Sequence, residues 1–399
     1  MTPIEIYIHI PFCVKKCLYC DFLSGVFDEK MQRRYVAALC TEIKYVASTH
    51  PGCLVSTIYV GGGTPSWLSV DLMDAIITTV KKHFKLDPLA EISVECNPGT
   101  LTAEKLNVYR SIGINRLSIG LQSANDDELK ELGRIHDYNR FLHTFDLVRK
   151  AGFDNVNVDI MTGLPHQTIE KLEHTLNAVT MLRPEHISAY SLIIEKGTPF
   201  YEKYKFDAVK QQAGMDTEDL PTDEMSYRLY KRTMEFLEAK GYKRYEISNY
   251  ARNGKICRHN VGYWDRVPYL GLGLGSASLF NNIRTSNIRD IYKYVEISEA
   301  LEKGQNIKSD LSSPYFEAEE ALSKKDAMAE FMYLGLRKID GIQRMNFFNM
   351  FGIDIEAIYG PVITALRNQG FMDAKEGRLF LTDIGIDVSN QVLSKFLLD

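Results

Sequence analysis

Along the first half of the chain, short runs dominated by Val, Ile and Tyr alternate with longer stretches whose apolar residues recur every three to four positions. The short runs predict strands and the longer ones amphipathic helices, and their alternation predicts parallel βα units. The strands fall at EIYIHI (5–10), STIYV (56–60), EISVE (91–95), RLSIGL (116–121), VNVDIM (156–161) and HISAYSL (186–192). Clear helical periods run from Met31 to Ala47, through SVDLMDAIITTVKKHF and through TIEKLEHTLNAVTML. Six units fit before Phe200, two short of a closed eight-fold barrel, so the expected fold is α/β, an open, partial (β/α)6 TIM-like barrel. A doubly wound sheet is the competing layout. The barrel is favoured because polar residues follow successive strands, where the C-terminal rim of a barrel collects them: Cys13 onward, the GGGTP loop, Glu95, Gln122 and Asp159.

Beyond Phe200 the rhythm changes. FDAVKQQAGMDTEDLPTDE is polar and predicts a loop or lid, and a helix from Asp223 to Lys240 follows. Ala251 to Asn282 is rich in Gly, Asn and aromatic residues, contains HNVGYW and GLGLGSASLF, and predicts turns and short strands. No helix follows the GLGLG run, Gly271 to Gly275, which reads as a strand with close backbone packing rather than a nucleotide loop. A polar run from Ser309 to Ser313 marks a boundary. From about Lys324, two or three helices, a strand pair around GRLFLT and a last helix predict a small, mainly helical, winged-helix-like C-terminal domain. The resulting division is 1–205 for the partial barrel, 206–310 for a connecting region with short strands, and 311–399 for the C-terminal helical domain.

A chain of 399 residues is ample for two or three domains. Its net charge of −5 and its lack of any long Lys/Arg run argue against nucleic acid as a partner. The opening MTPIEIYIHIPFC runs as a strand into a cysteine loop and lacks the parts of a signal peptide, and the apolar stretches are too short for a transmembrane segment. A cytoplasmic protein is expected, with peripheral membrane contact left open. Seven cysteines at low density suit reduced thiols better than a disulfide framework.

Three of those cysteines, Cys13, Cys17 and Cys20, are bunched in CVKKCLYC as C-x3-C-x2-C. One reading is a structural zinc site completed by His9 or another cysteine, which would suit a zinc-stabilised barrel hydrolase. Three unrelated buried thiols are a second. A third is an iron–sulfur cubane, which asks for one thiolate per iron, so that three cysteines leave one iron with open coordination.

The cysteine triad after a first strand, followed by GGGTP, resembles the radical S-adenosylmethionine superfamily. Within it, YIHIPFCVKKCLYCDF, GGGTPSWL, SVECNPGT, RLSIGLQS and DIMTGLPHQT are similar to the group related to anaerobic coproporphyrinogen III oxidase, in order along the whole chain. This resemblance implies a [4Fe-4S] cluster on Cys13, Cys17 and Cys20, with S-adenosylmethionine on the open iron. It also implies that Tyr7, Tyr19, Gly62, Gly63, Thr64, Glu95, Gln122, Arg134 and Asp159 contact the cofactor. Glycine permits close backbone approach, the carboxylates and Gln122 can accept from hydroxyl or amino groups, and an arginine can clamp a carboxylate. Taken singly, each of these residues serves equally well as core, cap or ion pair.

Two functions within the group remain to be separated. The oxidase carries one more cysteine just beyond the triad, as C-x-C, and an N-terminal extension, whereas here Phe22 takes that position and twelve residues precede Cys13. The stretch Arg258-His-Asn-Val-Gly-Tyr-Trp264 resembles the HNxxYW motif of the haem-chaperone branch, HemW. That implies haem near His259, Tyr263 and Trp264, through an imidazole ligand and flat aromatic faces. Cys257 is a possible thiolate ligand but reads more simply as a small apolar residue. The expectation is a haem chaperone that binds the cluster, S-adenosylmethionine and haem and delivers haem to acceptor proteins. Oxidative decarboxylation of coproporphyrinogen III is the alternative, and no catalytic residue is assigned.

Overall fold

A computed structural model describes residues 1–305, 307 and 309–398. The six expected units are present: β1 (Thr2–Ile10), α1 (Glu29–Thr49), β2 (Cys53–Gly62), α2 (Val70–His83), β3 (Lys85–Cys96), α3 (Ala103–Ser111), β4 (Arg116–Gln122), α4 (Asp126–Glu131), α5 (Tyr138–Lys150), β5 (Val156–Thr162), α6 (Ile169–Met181) and β6 (His186–Ser191). The strands pair in parallel in simple sequence order from β1 to β6. A doubly wound sheet reverses its order at a switch point, and this one does not.

Period-two alternation explains how the sheet is clothed. In β1, Ile4, Ile6, Ile8 and Ile10 are buried in the main hydrophobic core. Glu5, Tyr7 and His9 take the opposite face, toward the barrel interior. Helix α1 begins at Asp28, whose carboxylate accepts the Met31 amide at 2.8 Å, and buries Tyr35, Leu39 and Ile43. Its Glu42 is also buried, receiving the Gly273 amide at 2.7 Å and the Tyr294 hydroxyl at 2.5 Å. One carboxylate thereby ties the first helix to a segment near residue 273 and holds that turn.

The second half extends the sheet on both sides. It comprises α7 (Pro199–Gln212), α8 (Asp223–Ala239), β7 (Lys243–Arg244), β8 (Asn249–Ala251), α9 (Arg258–Trp264), β9 (Tyr269–Leu272), β10 (Ala277–Phe280), β11 (Ile283–Asn287), α10 (Ile291–Glu302) and β12 (Phe316–Ala321). Strand β9 runs parallel to β1, with β10, β11 and β12 antiparallel beyond it, while β8 and β7 lie antiparallel beyond β6. Close packing of the GLGLG run is seen at Gly271, where a Cβ would fall 2.1 Å from the Ala277 carbonyl oxygen.

Two local expectations are corrected here. Phe206–Gln212 is helical, the end of α7, which starts with the Thr198 side chain accepting the Tyr201 amide and Pro199 in the first turn. Only the residues after it form a loop, and the Asp207 carboxylate accepts the amides of Glu218, Asp219 and Leu220 at 2.7–3.1 Å. HNVGYW is likewise a helix, α9, rather than a turn, because the Glu91 carboxylate on β3 accepts the Arg258 amide at 3.1 Å at its start.

The C-terminal unit contains α11 (Lys324–Gly335), β13 (Ile342–Gln343), α12 (Arg344–Phe351), α13 (Ile355–Asn368), β14 (Met372–Lys375), β15 (Arg378–Leu381), α14 (Asp383–Asp387) and α15 (Ser389–Leu393). It has its own apolar core and a three-stranded sheet ordered β13-β15-β14, one strand more than the sequence suggested. A capping box between Ser323 and Asp326 starts α11. Among the described residues, no helix is long and apolar enough to cross a membrane.

Candidate functional site

The C-terminal ends of β1 to β5 open into a cavity of about 320 Å³. Cys13, Cys17, Cys20, Tyr19, Gly62, Gly63, Thr64, Glu95, Gln122, Arg134 and Asp159 all line it. Of the residues expected around the cluster and its cofactor, only Tyr7 lies elsewhere.

The cysteines ride on the irregular loop between β1 and α1, closed by the Cys13 amide donating to Gly25 and the Gly25 amide to Pro11, both at 2.9 Å. The Thr64 hydroxyl donates to Cys13 Sγ at 3.7 Å and an Arg134 terminal nitrogen to Cys17 Sγ at 3.5 Å. Among the described residues, no three His, Cys, Asp or Glu side chains are arranged around a point as one metal ion requires. A cubane asks for one thiolate on each of three irons rather than three on a single ion, and Cys13, Cys17 and Cys20 all line the same cavity. His9 does not complete the set, because Nδ1 is bonded to the Tyr7 hydroxyl at 3.0 Å and Nε2 to the Leu23 carbonyl at 2.8 Å. Cys96 reaches the cavity from β3, but its thiol donates to the Val94 carbonyl at 3.5 Å and burial pushes its pKa far up.

The glycine loop is clipped to the cysteine loop. The Gly63 amide donates to Ile10 at 2.8 Å and the Thr64 amide to Phe12 at 2.7 Å. Gly62 has φ +111°, and a Cβ there would sit 2.5 Å from His9. At Gly63 a Cβ would sit 2.7 Å from the Phe12 carbonyl oxygen, so the two loops approach as closely as backbone allows.

Charge in the cavity is managed by burial. Glu95 accepts the Gly62 amide and the Tyr59 hydroxyl, each at 3.0 Å, while burial and then the neighbouring Asp159 hold its carboxyl up to about 7. Asp159 accepts from Asn157 at 2.7 Å and Ser118 at 3.1 Å and is raised mainly by burial. Arg134 uses its terminal nitrogens on Asn97 at 2.9 Å, Gly120 at 2.6 Å and Cys17, leaving Nε without a partner. A bidentate clamp on a ligand therefore requires it to release protein contacts. Gln122 has φ +75° at a bulge between β4 and β5, a costly conformation for a residue with a Cβ that re-aims the strand end. Asn97, to which the sequence reading assigns no role, donates to Thr64 at 3.0 Å and accepts from Arg134, joining the glycine loop to the arginine that contacts Cys17. Its position two residues beyond Glu95 on the same face was the available signal.

A second cavity, of about 550 Å³, adjoins the first, and Tyr59, Glu95 and Tyr190 line both. Tyr7 belongs here, stacked on Tyr59 with ring centroids 6.4 Å apart. So do His259, Tyr263 and Trp264 from α9. His259 is 1% exposed, with the Thr57 hydroxyl 2.7 Å from Nδ1 and the Tyr263 hydroxyl 3.1 Å from Nε2. Burial holds its imidazole down to about 3, so it is neutral with both nitrogens engaged. The Trp264 ring carries the Arg337 guanidinium at 4.6 Å. Cys257 is fully buried and its thiol is pushed up to about 12 by burial, as suits a small core residue rather than a thiolate.

Residues 7–179 match the radical SAM superfamily, and residues 322–388 match the HemN C-terminal domain. Over 98% of each chain, the sequence is 35% identical to the heme chaperone HemW of Bacillus subtilis. It is 34% identical to that of Lactococcus lactis over 100% of this chain and 98% of the relative. For the Escherichia coli protein of the same name, the figures are 31%, 100% and 99%. Among solved structures, coproporphyrinogen III oxidase (HemN) of Escherichia coli, a radical SAM enzyme, matches with a TM-score of 0.82 over 99% of this chain and 90% of that one. At 23% identity this is a likeness of fold.

Proposed function

The chain belongs to the HemW family within the radical S-adenosylmethionine superfamily, and from that premise we propose that it is a haem chaperone. In this reading it holds a [4Fe-4S] cluster on Cys13, Cys17 and Cys20, binds S-adenosylmethionine, takes haem into the aromatic cavity and passes it to acceptor proteins.

The observation that carries the reading is the shared wall. The helix bearing HNVGYW places His259, Tyr263 and Trp264 in a cavity that has Tyr59, Glu95 and Tyr190 in common with the cysteine-lined one. An aromatic lining suits a flat macrocycle, and 550 Å³ lies within the range of small-molecule sites.

A cluster with one open iron supplies a docking point for the amino and carboxylate groups of S-adenosylmethionine and an electron for cleaving its sulfonium bond. The polypeptide does the rest. Thr64 and Arg134 donate to the sulfurs of Cys13 and Cys17 and orient them, Gly62 and Gly63 let backbone approach the ligand, and Glu95 and Asp159 offer acceptors for its hydroxyl and amino groups. Tyr263 offers a flat face to haem. Direct ligation of haem iron by His259 requires the Tyr263 hydroxyl to leave Nε2, a local rearrangement of α9. The seven cysteines are all free thiols, which suits a cytoplasmic site of action.

Coproporphyrinogen III oxidation is the second reading, favoured only by the shared fold. Anaerobic titration of reconstituted protein with haem tests the choice. A saturable complex, with haem transferred to an apo-acceptor, supports the chaperone. Conversion of coproporphyrinogen III to protoporphyrinogen IX, without stable haem binding, overturns it.

A further inference from the structure

At its outer side the aromatic cavity is bordered by two arginines that share one carboxylate. Arg284 on β11 donates to Glu330 of α11 at 2.7 Å, and Arg266, just beyond α9, donates to the other oxygen of Glu330 at 2.8 Å. Both arginines line the cavity. One negative charge thus faces two positive ones, and the hydrogen bonding is also incomplete. Arg266 is 7% exposed, spends one terminal nitrogen on Asn282 at 3.2 Å, and has the other buried with no partner. A buried guanidinium nitrogen without an acceptor is costly to keep. Its backbone, at φ +57°, is in the left-handed region, where a side chain brings strain. The Arg284 side chain is 37% exposed and accessible to an incoming group.

We propose that Arg284 and Arg266 form a carboxylate subsite on the aromatic cavity, and that it selects flat macrocycles carrying acidic side chains over uncharged ones. This rests on the haem reading above and deepens it: the carboxylates of the macrocycle are what the site recognises at this edge. An entering carboxylate meets the accessible Arg284 first and balances the second positive charge, and a turn of the Arg266 side chain toward it gives the orphaned nitrogen the acceptor it lacks. Guanidinium groups suit this task because their planar fork matches a carboxylate. Glu330 holds the two forks in place while the site waits. Because Glu330 sits on α11, the subsite also links ligand capture to the C-terminal unit.

The test compares haem with its dimethyl ester, in which both carboxylates are masked, on the reconstituted full-length protein and on Arg284→Gln and Arg284→Lys. The wild type should bind haem about tenfold or more tightly than the ester, the usual scale for a charge-assisted hydrogen bond. Arg284→Gln should lose that preference by weakening haem alone, and Arg284→Lys should keep part of it. Unchanged ester binding in the same sample reports that the cavity is intact. Equal affinity of the wild type for both ligands, or an Arg284→Gln variant that still prefers the acid as the wild type does, overturns the subsite and leaves the haem reading standing. Binding of neither ligand by the wild type overturns both.

Discussion

The phenol ring of Tyr59 lies against the imidazole of His259, with centroids 5.2 Å apart and planes 20° from parallel. Its hydroxyl donates to Glu95 at 3.0 Å, so one side chain touches both cavities. Tyr59→Phe keeps the ring stack and removes one of the two donors to Glu95. The expected outcome is a loss of about 1 kcal/mol in stability and severalfold weaker S-adenosylmethionine binding. Haem affinity should hardly change. Urea unfolding and calorimetry of each ligand measure these separately.

Glu5 provides a pH signature. Burial, opposed by a hydrogen bond to Thr57 and reinforced by Glu91, lifts its carboxyl from the usual 4.5 to about 9. The folded protein then holds a proton that the unfolded chain has released, so this contribution is present at acid pH and is lost as pH rises toward 9. Glu5→Gln should flatten the decline in stability between about pH 6 and pH 9 by an amount on the order of a few kcal/mol. Denaturant titrations across that range check it, and parallel profiles for the two proteins would contradict it.

Gly62→Ala places a methyl group against the His9 ring in a left-handed backbone. A cost of roughly 2 kcal/mol or more is expected, with disruption of the clip between the glycine and cysteine loops. Gly52 also has positive φ but open space around it, so Gly52→Ala should cost only about 1 kcal/mol and leave the site intact. Iron content after reconstitution and thermal unfolding distinguish the two.

Cys13→Ala, Cys17→Ala and Cys20→Ala should each lower iron and sulfide per chain and bleach the brown colour of anaerobic preparations. Cys40→Ala, on α1 and bonded to the Ala75 carbonyl, should leave both as in the wild type. Metal analysis and visible absorption decide this, and equal loss in all four would point to general unfolding instead.

Asp207 holds the loop after α7 through three backbone amides. Asp207→Ala removes those acceptors and should speed proteolytic cleavage between Gly214 and Leu220, with about 1–3 kcal/mol of stability lost. Mass spectrometry of the early fragments locates the cut.

How legible these features were depended on what holds each of them. The barrel strands could be read because β-branched alternation along EIYIHI or EISVE is itself what packs against the helices. That Cys13, Cys17, Cys20, Glu95 and Asp159 gather at one cavity could be read because barrel rims collect polar residues at strand ends. Helix α9 could not. Its seven residues include His, Asn and Gly, which carry little intrinsic helicity, and its start is held by Glu91 from a strand far away in sequence. The helical end of α7 was masked by the polar residues that follow it, although Thr198 and Pro199 form a start signal. Tyr7 went to the other cavity because strand alternation aligns it with Tyr59, a consequence of register rather than of distance from Cys13.

The pairing of Tyr269–Leu272 with Glu5–Ile8 bears on how this protein emerges from the ribosome. One border of the N-terminal strand lacks its backbone partners until the chain has been synthesised past Leu272, well after the first six βα units exist. A nascent chain halted before that point exposes a bare strand edge, open to pairing with other chains. Completion of the sheet around the N-terminal strand is therefore a late event in biosynthesis.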